Sequence, residues 1–238
     1  MRQTVAGRWS LVLMAAVLLV AFVMPRVMAA PRAASAATPR VSSADDQVAR
    51  GRAIVITSAC GYCHGGNADP ASPDWLQGMK TRENEFLIGP CAITPGAMPC
   101  FHTRPRNLTP DNLTGLGRFS ERQIFNALRY GLRPEDTPDV EITSTTPGVG
   151  NFPAHPHYLA PPMPWPAWRH KPDQDLWAIA AYLKRALKPV RNKVPDSEGP
   201  PDFWASAYTA DKIGAYPVPA FPTANEQAPA AQAGSGPK

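Results

Sequence analysis

The sequence Cys-Gly-Tyr-Cys-His at residues 60–64 constrains this 238-residue chain more than any other feature. Each thiol of a Cys-x-x-Cys-His motif can add to one vinyl group of a porphyrin, and the adjacent histidine can bind the iron. The motif therefore predicts a covalently attached haem c. Cys60 and Cys63 are the expected attachment points and His64 the expected axial ligand, so the chain must fold around a large apolar ring.

Two other kinds of site use a Cys-x-x-Cys pair, namely redox-active dithiols and structural zinc sites. A dithiol motif is expected in a βαβ context, and a zinc site needs a second ligand pair at similar spacing. The sequence shows neither pattern. Haem attachment is therefore favoured, and the absence of a second Cys-x-x-Cys-His motif predicts one haem per chain.

Residues 1–36 have the layout of a secretory signal peptide. They contain four arginines and no acidic residue, an apolar run over residues 11–24, and an Ala-x-Ala cleavage sequence at residues 34–36. The run is shorter than the roughly 20 residues that span a bilayer, but residues 27–30 would lengthen it. We therefore expect export to the periplasm, with an uncleaved membrane anchor as the alternative.

The leader also accounts for most of the net charge of +5. Once its four arginines are removed, 20 basic and 19 acidic residues remain, which is a net charge near +1. A strongly basic protein would favour binding to nucleic acid or to anionic surfaces. The composition of the mature chain therefore predicts no nucleic-acid partner, and a membrane partner only if the leader is retained.

Cys91 and Cys100 are the two cysteines outside the haem motif. Because exported proteins can hold disulfides, we expect a Cys91–Cys100 disulfide, which would stabilise the fold by about 2–3 kcal/mol for so short a loop. A metal site formed by both cysteines and His102 is the alternative, although no fourth ligand is evident.

We expect a mainly α domain over residues 42–195 with long loops, followed by a largely disordered C-terminal extension over residues 196–238. Ser43 with Asp46 and Ser120 with Gln123 have the spacing of capping boxes. Residues 65–103 are predicted as an ordered loop without a strong strand. Helices are predicted over about 46–59, from residue 121 to Gly131, and from Pro172, in the first helical turn, to a stop at Pro189.

The second axial ligand decides between electron transfer and ligand chemistry at the iron. Met163 lies between prolines, which fix the backbone and would hold a weak thioether ligand in place before it binds. We therefore predict Met163 as the sixth ligand and interpret Met79 and Met98 as packing residues. A second histidine ligand is the alternative, and the candidates for it are His102, His155 and His157.

The chain resembles class I cytochromes c over about residues 45–190. The motifs that carry the resemblance are Arg50-Gly51-Arg52, residues 60–64, Asn107-Leu108-Thr109-Pro110-Asp111 with Thr114-Gly115-Leu116-Gly117, Pro162-Met163-Pro164-Trp165, and residues 175–183. The resemblance implies a cytochrome c fold, with three or more helices around one covalently attached haem. It also implies that the first and last helices cross at Gly51 against Trp177 or Tyr182.

The variant at residues 107–117 is similar to cytochromes that serve as subunits or partners of periplasmic alcohol and aldehyde dehydrogenases. Those subunits usually carry three haems, whereas one is expected here. The resemblance implies an electron carrier, not an enzyme, that passes electrons from a dehydrogenase towards the respiratory chain. Its partners would be redox proteins such as a dehydrogenase, an oxidase or another cytochrome.

Two other classes of function stay open. The first is a haem enzyme, such as a peroxidase or a sulfur-compound oxidoreductase, with a displaceable sixth ligand and His155 or His157 as its acid–base residue. The second is an assembly subunit whose haem relays electrons within a larger complex. The proline-rich context of Met163 argues against the enzyme, but the sequence hardly separates a free carrier from a relay subunit.

Overall fold

The computed structural model describes residues 43–80 and 85–227. The predicted signal peptide over residues 1–36 lies outside these ranges, as does the end of the predicted C-terminal extension. Export of the chain and cleavage of the signal peptide therefore remain predictions. The helices in the described ranges all lack the combination of length and apolar character that a bilayer-crossing helix needs.

The described part of the chain is mainly helical, as predicted. Its α-helices are α1 (Ala44–Thr57), α2 (Cys60–His64), α3 (Glu121–Tyr130), α4 (Trp165–Trp168), α5 (Asp173–Arg185) and α6 (Ala210–Ile213). Short 3-10 helices occupy Pro90–Ala92, Leu116–Arg118, Pro134–Asp136 and Ala205–Tyr208. The strands are β1 (Phe86–Ile88) and β2 (Phe101–Thr103).

Both predicted capping boxes are present. The Ser43 hydroxyl accepts a hydrogen bond from the Asp46 backbone N–H, and the Asp46 carboxylate accepts one from the Ser43 backbone N–H. Ser120 and Gln123 make the same reciprocal pair at the start of α3. As predicted, α3 ends at Gly131, which has a φ of 71°, a left-handed conformation that glycine adopts without strain.

Helices α1 and α5 cross at Gly51. A Cβ atom on Gly51 would lie 1.8 Å from the carbonyl oxygen of Ala178 and 2.9 Å from the Cβ of Tyr182. The close crossing is therefore confirmed, and Tyr182 is the aromatic residue at it. Trp177 lies elsewhere, stacked on Phe125 with ring centroids 4.6 Å apart.

Helix α5 has one buried face but is shorter than predicted. Pro172 precedes the helix instead of lying in its first turn, and the last helical residue is Arg185. Pro189 disfavours helical conformation only at Lys188, and the helix ends three residues before that, at Arg185. The residues of α5 that pack in the main core are Leu176, Ile179, Ala180, Tyr182 and Leu183.

The prediction that residues 65–103 are loop is wrong at two short strands. Strands β1 and β2 pair antiparallel, with Ile88 opposite Phe101. Each strand has three residues, which is too short for an alternating pattern to stand out in the sequence. Burial of Ile88 and Phe101 against Trp204 stabilises this hairpin.

The C-terminal strap, residues 196–208, packs on the hairpin. The backbone groups of His102 and Glu198 exchange two hydrogen bonds of 2.8 and 3.0 Å. Trp204 is only 5% exposed, and its ring lies 4.9 Å from that of Phe101. The predicted domain boundary at residue 195 and the predicted disorder from residue 196 are therefore wrong for the strap, because its aromatic side chains extend the core.

Candidate functional site

A cavity of about 870 Å³ contains the predicted haem-binding residues. Its volume falls within the range of about 300–1,000 Å³ that is typical of ligand pockets. Cys60, Cys63, His64 and Met163 all line it. Much of the remaining wall is apolar and includes Val55, Leu108, Leu116, Phe119, Ile124, Leu128, Ile179 and Leu183.

Helix α2 presents the motif to this cavity. Residues 60, 63 and 64 have the i, i+3 and i+4 spacing of one helical face. Gly61 lies against the indole of Trp75, where a Cβ atom would come within 2.1 Å of the ring. Only a glycine therefore allows α2 to pack this closely on Trp75, and that packing fixes the position of the two cysteines and His64.

The ring of His64 is oriented by a backbone carbonyl. Its Nδ1 lies 2.7 Å from the carbonyl oxygen of Arg106. A carbonyl oxygen can only accept, so Nδ1 carries the proton and Nε2 keeps a lone pair for a metal. Burial lowers the pKa of His64, which further favours the neutral ring. Sequence reasoning missed Arg106, because every residue offers a carbonyl and side-chain type gives no signal.

The thiols of Cys60 and Cys63 do not have the properties of a redox dithiol. Neither is in a disulfide. Burial raises the pKa of Cys60 to about 11 and also raises the pKa of Cys63, whereas redox-active dithiols depend on a lowered pKa. A structural zinc site would need further ligands beside the two thiols. Across residues 43–80 and 85–227, no three His, Cys, Asp or Glu side chains cluster in a way that could hold a metal ion.

Met163 differs from the other two candidate methionines in its position. Its loop turns back at residue 160, where the Met163 N–H donates to the Ala160 carbonyl at 2.9 Å. Met79 is 3% exposed but does not line the cavity, and Met98 is 68% exposed within the loop that the Cys91–Cys100 disulfide closes. Of these three methionines, Met163 alone contacts the cavity.

The three candidate histidines are not part of the cavity wall, although His157 contacts Asp136, which is. His102 contacts the carboxylate of Glu85, and His157 lies 3.0 Å from the carboxylate of Asp136. His155 is exposed. None of the three lines the cavity, so neither the second-histidine alternative nor an acid–base role at the haem gains support from their positions.

The Asn-Leu-Thr-Pro-Asp motif builds one wall of the cavity through hydrogen bonds. The Asn107 amide donates to Thr114 Oγ1 at 3.1 Å and to the Val190 carbonyl at 2.8 Å, while its oxygen accepts from the Thr109 N–H at 2.9 Å. The Asp111 carboxylate accepts from the Thr114 N–H at 2.7 Å. These bonds fix the loop that presents Leu108, Leu113 and Leu116 to the cavity.

Cys91 and Cys100 are disulfide-bonded in the structure, and neither lines the cavity. The bond closes the loop between β1 and β2. The alternative metal site would need both as free thiolates beside His102, whose ring nitrogen instead contacts Glu85. The structure therefore contradicts that alternative.

We expect neither Cys91 nor Cys100 to react with a thiol reagent in the unreduced protein, even when it is denatured, because their sulfurs are bonded to each other. After reduction, both should react. Alkylation followed by mass spectrometry of the peptides measures this. Two labelled cysteines before reduction would contradict the disulfide and direct attention to a redox role for the loop.

No protein-family model matches the chain. The fructose dehydrogenase cytochrome subunit of Gluconobacter japonicus is 27% identical over 173 residues, which are 73% of this chain and 26% of that protein. The cytochrome c subunit of the quinone alcohol dehydrogenase of Gluconacetobacter polyoxogenes is 28% identical over 96 residues, or 40% of this chain and 16% of that protein. The gluconate 2-dehydrogenase cytochrome c subunit of Pantoea cypripedii is 29% identical over 107 residues, which are 44% of this chain and 20% of that protein.

The chain thus spans about a quarter or less of the length of the curated relatives it matches. All three are named as cytochrome subunits of dehydrogenases. Similarity to such subunits supports a cytochrome c that is associated with a dehydrogenase and agrees with the resemblance carried by residues 107–117.

Proposed function

We propose that this chain is a periplasmic c-type cytochrome with one haem, which carries electrons from a dehydrogenase towards the respiratory chain. The observation that supports it best is that Cys60, Cys63, His64 and Met163 line one largely apolar cavity. Similarity to cytochrome subunits of three dehydrogenases supports the identity of the donor class. Attachment to a membrane depends on whether the leader is retained.

The residues of the cavity fit a haem. A bound haem c would supply an iron that accepts and releases one electron. Cys60 and Cys63 would hold the ring through thioether bonds. His64 would bind the iron through Nε2, because its Nδ1 donates to the Arg106 carbonyl. The sulfur of Met163 would be the second axial ligand.

The chain supplies the environment that suits a carrier. Apolar walls keep water away from the site and disfavour the additional positive charge of the oxidised state. A thioether ligand also favours the reduced state, so both features raise the reduction potential. The fixed loops around residues 107–117 and 159–165 need little movement between the two oxidation states, which favours fast electron exchange.

We expect the purified holoprotein to exchange electrons rapidly with soluble redox proteins and to turn over hydrogen peroxide slowly, because Met163 would occupy the sixth position. Moderate salt should change the exchange rate little, since the mature chain is near neutral. Stopped-flow spectroscopy measures both reactions. Rapid, saturable peroxide turnover that is retained in Met163→Ala and lost in His155→Gln or His157→Gln would instead establish the enzyme.

The donor class can be tested in membranes of the native host. Fructose, an alcohol and gluconate, the substrates named for the relatives' dehydrogenases, are each added to membranes that contain the tagged chain, and haem reduction is followed by absorbance. The proposal would be supported if one of the three substrates reduces haem in these membranes and this reduction is absent from membranes of a strain that lacks the chain. If none of the three substrates reduces the haem, the donor does not belong to the dehydrogenase classes of these relatives.

A further inference from the structure

The C-terminal strap contacts the loop that carries Met163. The Tyr208 hydroxyl donates to the carbonyl oxygen of Leu159 at 3.2 Å. The Tyr208 ring also packs edge-on against Trp165, with centroids 4.9 Å apart and planes at 71°. Trp165 in turn donates its backbone N–H to the Met163 carbonyl at 2.8 Å. Tyr208 therefore touches residues on both sides of Met163.

Trp165 is enclosed from several directions. Its indole is 2% exposed, and it stacks on Tyr158 with planes within 5° and centroids 5.9 Å apart. It also covers Gly131 at the end of α3, where a Cβ atom would lie 2.2 Å from the ring. Tyr208 completes this cluster, since its ring lies 5.3 Å from that of Tyr158. A side chain from the strap thus closes the aromatic cluster beneath the methionine loop.

The strap is itself firmly anchored next to Tyr208. The Asp202 carboxylate accepts a hydrogen bond from the Arg133 guanidinium and another from the Tyr158 N–H, both at 3.2 Å. Trp204 is buried against the hairpin. These contacts hold the backbone that carries Tyr208, so Tyr208 can restrain the methionine loop instead of moving with it.

A restraint of this kind matters because a thioether is a weak ligand. Prolines 161, 162, 164 and 166 fix local backbone angles, but they do not fix where the loop lies relative to the cavity. Hydrogen bonds and ring contacts to another segment are needed for that. Burial raises the pKa of Tyr208, so its hydroxyl keeps the proton it donates to Leu159 throughout the neutral range.

We propose that Tyr208 is a positioning residue that holds the methionine loop closed and thereby keeps Met163 on the iron. This inference rests on the proposed function, in which Met163 is the sixth ligand. The strap lies outside residues 45–190, which carry the motifs that resemble class I cytochromes c, so this chain would use residues beyond those motifs to hold its axial ligand.

The test compares Tyr208→Phe, which removes only the hydroxyl, with Tyr208→Ala, which removes the ring as well. The readout is the rate at which cyanide binds the ferric holoprotein, since Met163 must leave first. We expect Tyr208→Phe to bind cyanide about fivefold faster, the change that corresponds to about 1 kcal/mol for one hydrogen bond. Tyr208→Ala should be faster still and should weaken the iron–thioether absorbance band.

Tyr216→Phe is the matched control. Tyr216 lies in the same C-terminal region, but its ring packs against the guanidinium groups of Arg129 and Arg169, and its link to the methionine loop runs through Arg169, which also lies over the Trp165 ring. The rate of cyanide binding to Tyr216→Phe should stay within about twofold of the rate for the unaltered protein. That is the change expected for a surface substitution that alters stability by less than about 0.5 kcal/mol. Comparable haem content in all variants shows that each of them folds.

Two results would overturn the inference: one concerns Tyr208 alone, and the other also concerns the proposed function. If the unaltered protein shows the thioether band but both Tyr208 variants bind cyanide at its rate, Tyr208 does not position the loop, while Met163 ligation stands. If the unaltered protein lacks the band and Met163→Ala binds cyanide no faster, the proposed function fails, and the inference fails with it.

Discussion

Replacing both Cys60 and Cys63 with alanine is expected to abolish covalent haem attachment. Any haem that remains in Cys60→Ala/Cys63→Ala should be removed by acid–acetone, and most of the protein should fail to accumulate as holoprotein. The two thiols line the cavity that also contains His64, and each would form one thioether bond. Each single variant should keep one thioether bond and show a shifted absorbance band for the reduced pyridine complex.

The disulfide offers a matched control for this experiment. Cys91→Ser/Cys100→Ser also removes two cysteines, but neither of them lines the cavity. It should lose about 2–3 kcal/mol of stability and still hold its haem covalently. Extraction of free haem from the unaltered protein would contradict attachment at Cys60 and Cys63, and with it the proposed function.

The parts of the fold that the sequence predicted depend on local interactions. Capping at Ser43 and Ser120 involves residues three positions apart, so the pattern is visible without tertiary structure. The close crossing at Gly51 was implied by resemblance, but the sequence did not decide between Trp177 and Tyr182. Both lie on α5, and only the rotation of that helix against α1 places Tyr182 at the crossing.

The strap and the hairpin escaped prediction because their stability comes from residues far apart in the chain. Strand β2 pairs with Glu198, and Trp204 is buried by Phe101. The proline-rich and alanine-rich composition after residue 196 favours disorder on average, yet a few aromatic side chains are enough to dock that segment. Composition describes a whole segment, whereas docking depends on where single residues lie.

The sequence offers side chains as candidates for the site but gives no signal for its backbone contacts. The motif at residues 60–64 predicts two thiols and a histidine for the site, because side-chain types can be read from the sequence. The contact of the Arg106 carbonyl with His64 cannot be read from the sequence, and neither can the contact of Tyr208 with Leu159. Both depend on where loops meet in space, which side-chain types along the chain do not reveal.

Met163→Ala is expected to abolish the iron–thioether band of the ferric protein. Cyanide should then bind faster, by about tenfold even if the lost ligand contributed only about 1.4 kcal/mol to holding the site closed. The reduction potential should fall as well, because a thioether ligand favours the reduced state. Absorbance spectra, stopped-flow cyanide binding and a redox titration measure the three effects on one set of proteins.

Two controls separate ligation from packing. Met98→Ala alters an exposed side chain, and Met79→Leu changes a buried side chain at nearly constant volume; neither residue lines the cavity. Both variants should keep the band, the slow cyanide reaction and the potential of the unaltered protein. If the band instead survives in Met163→Ala and disappears in one of these two, that methionine is the ligand. The cavity would then have to rearrange around the haem, because in the structure only Met163 among the three contacts it.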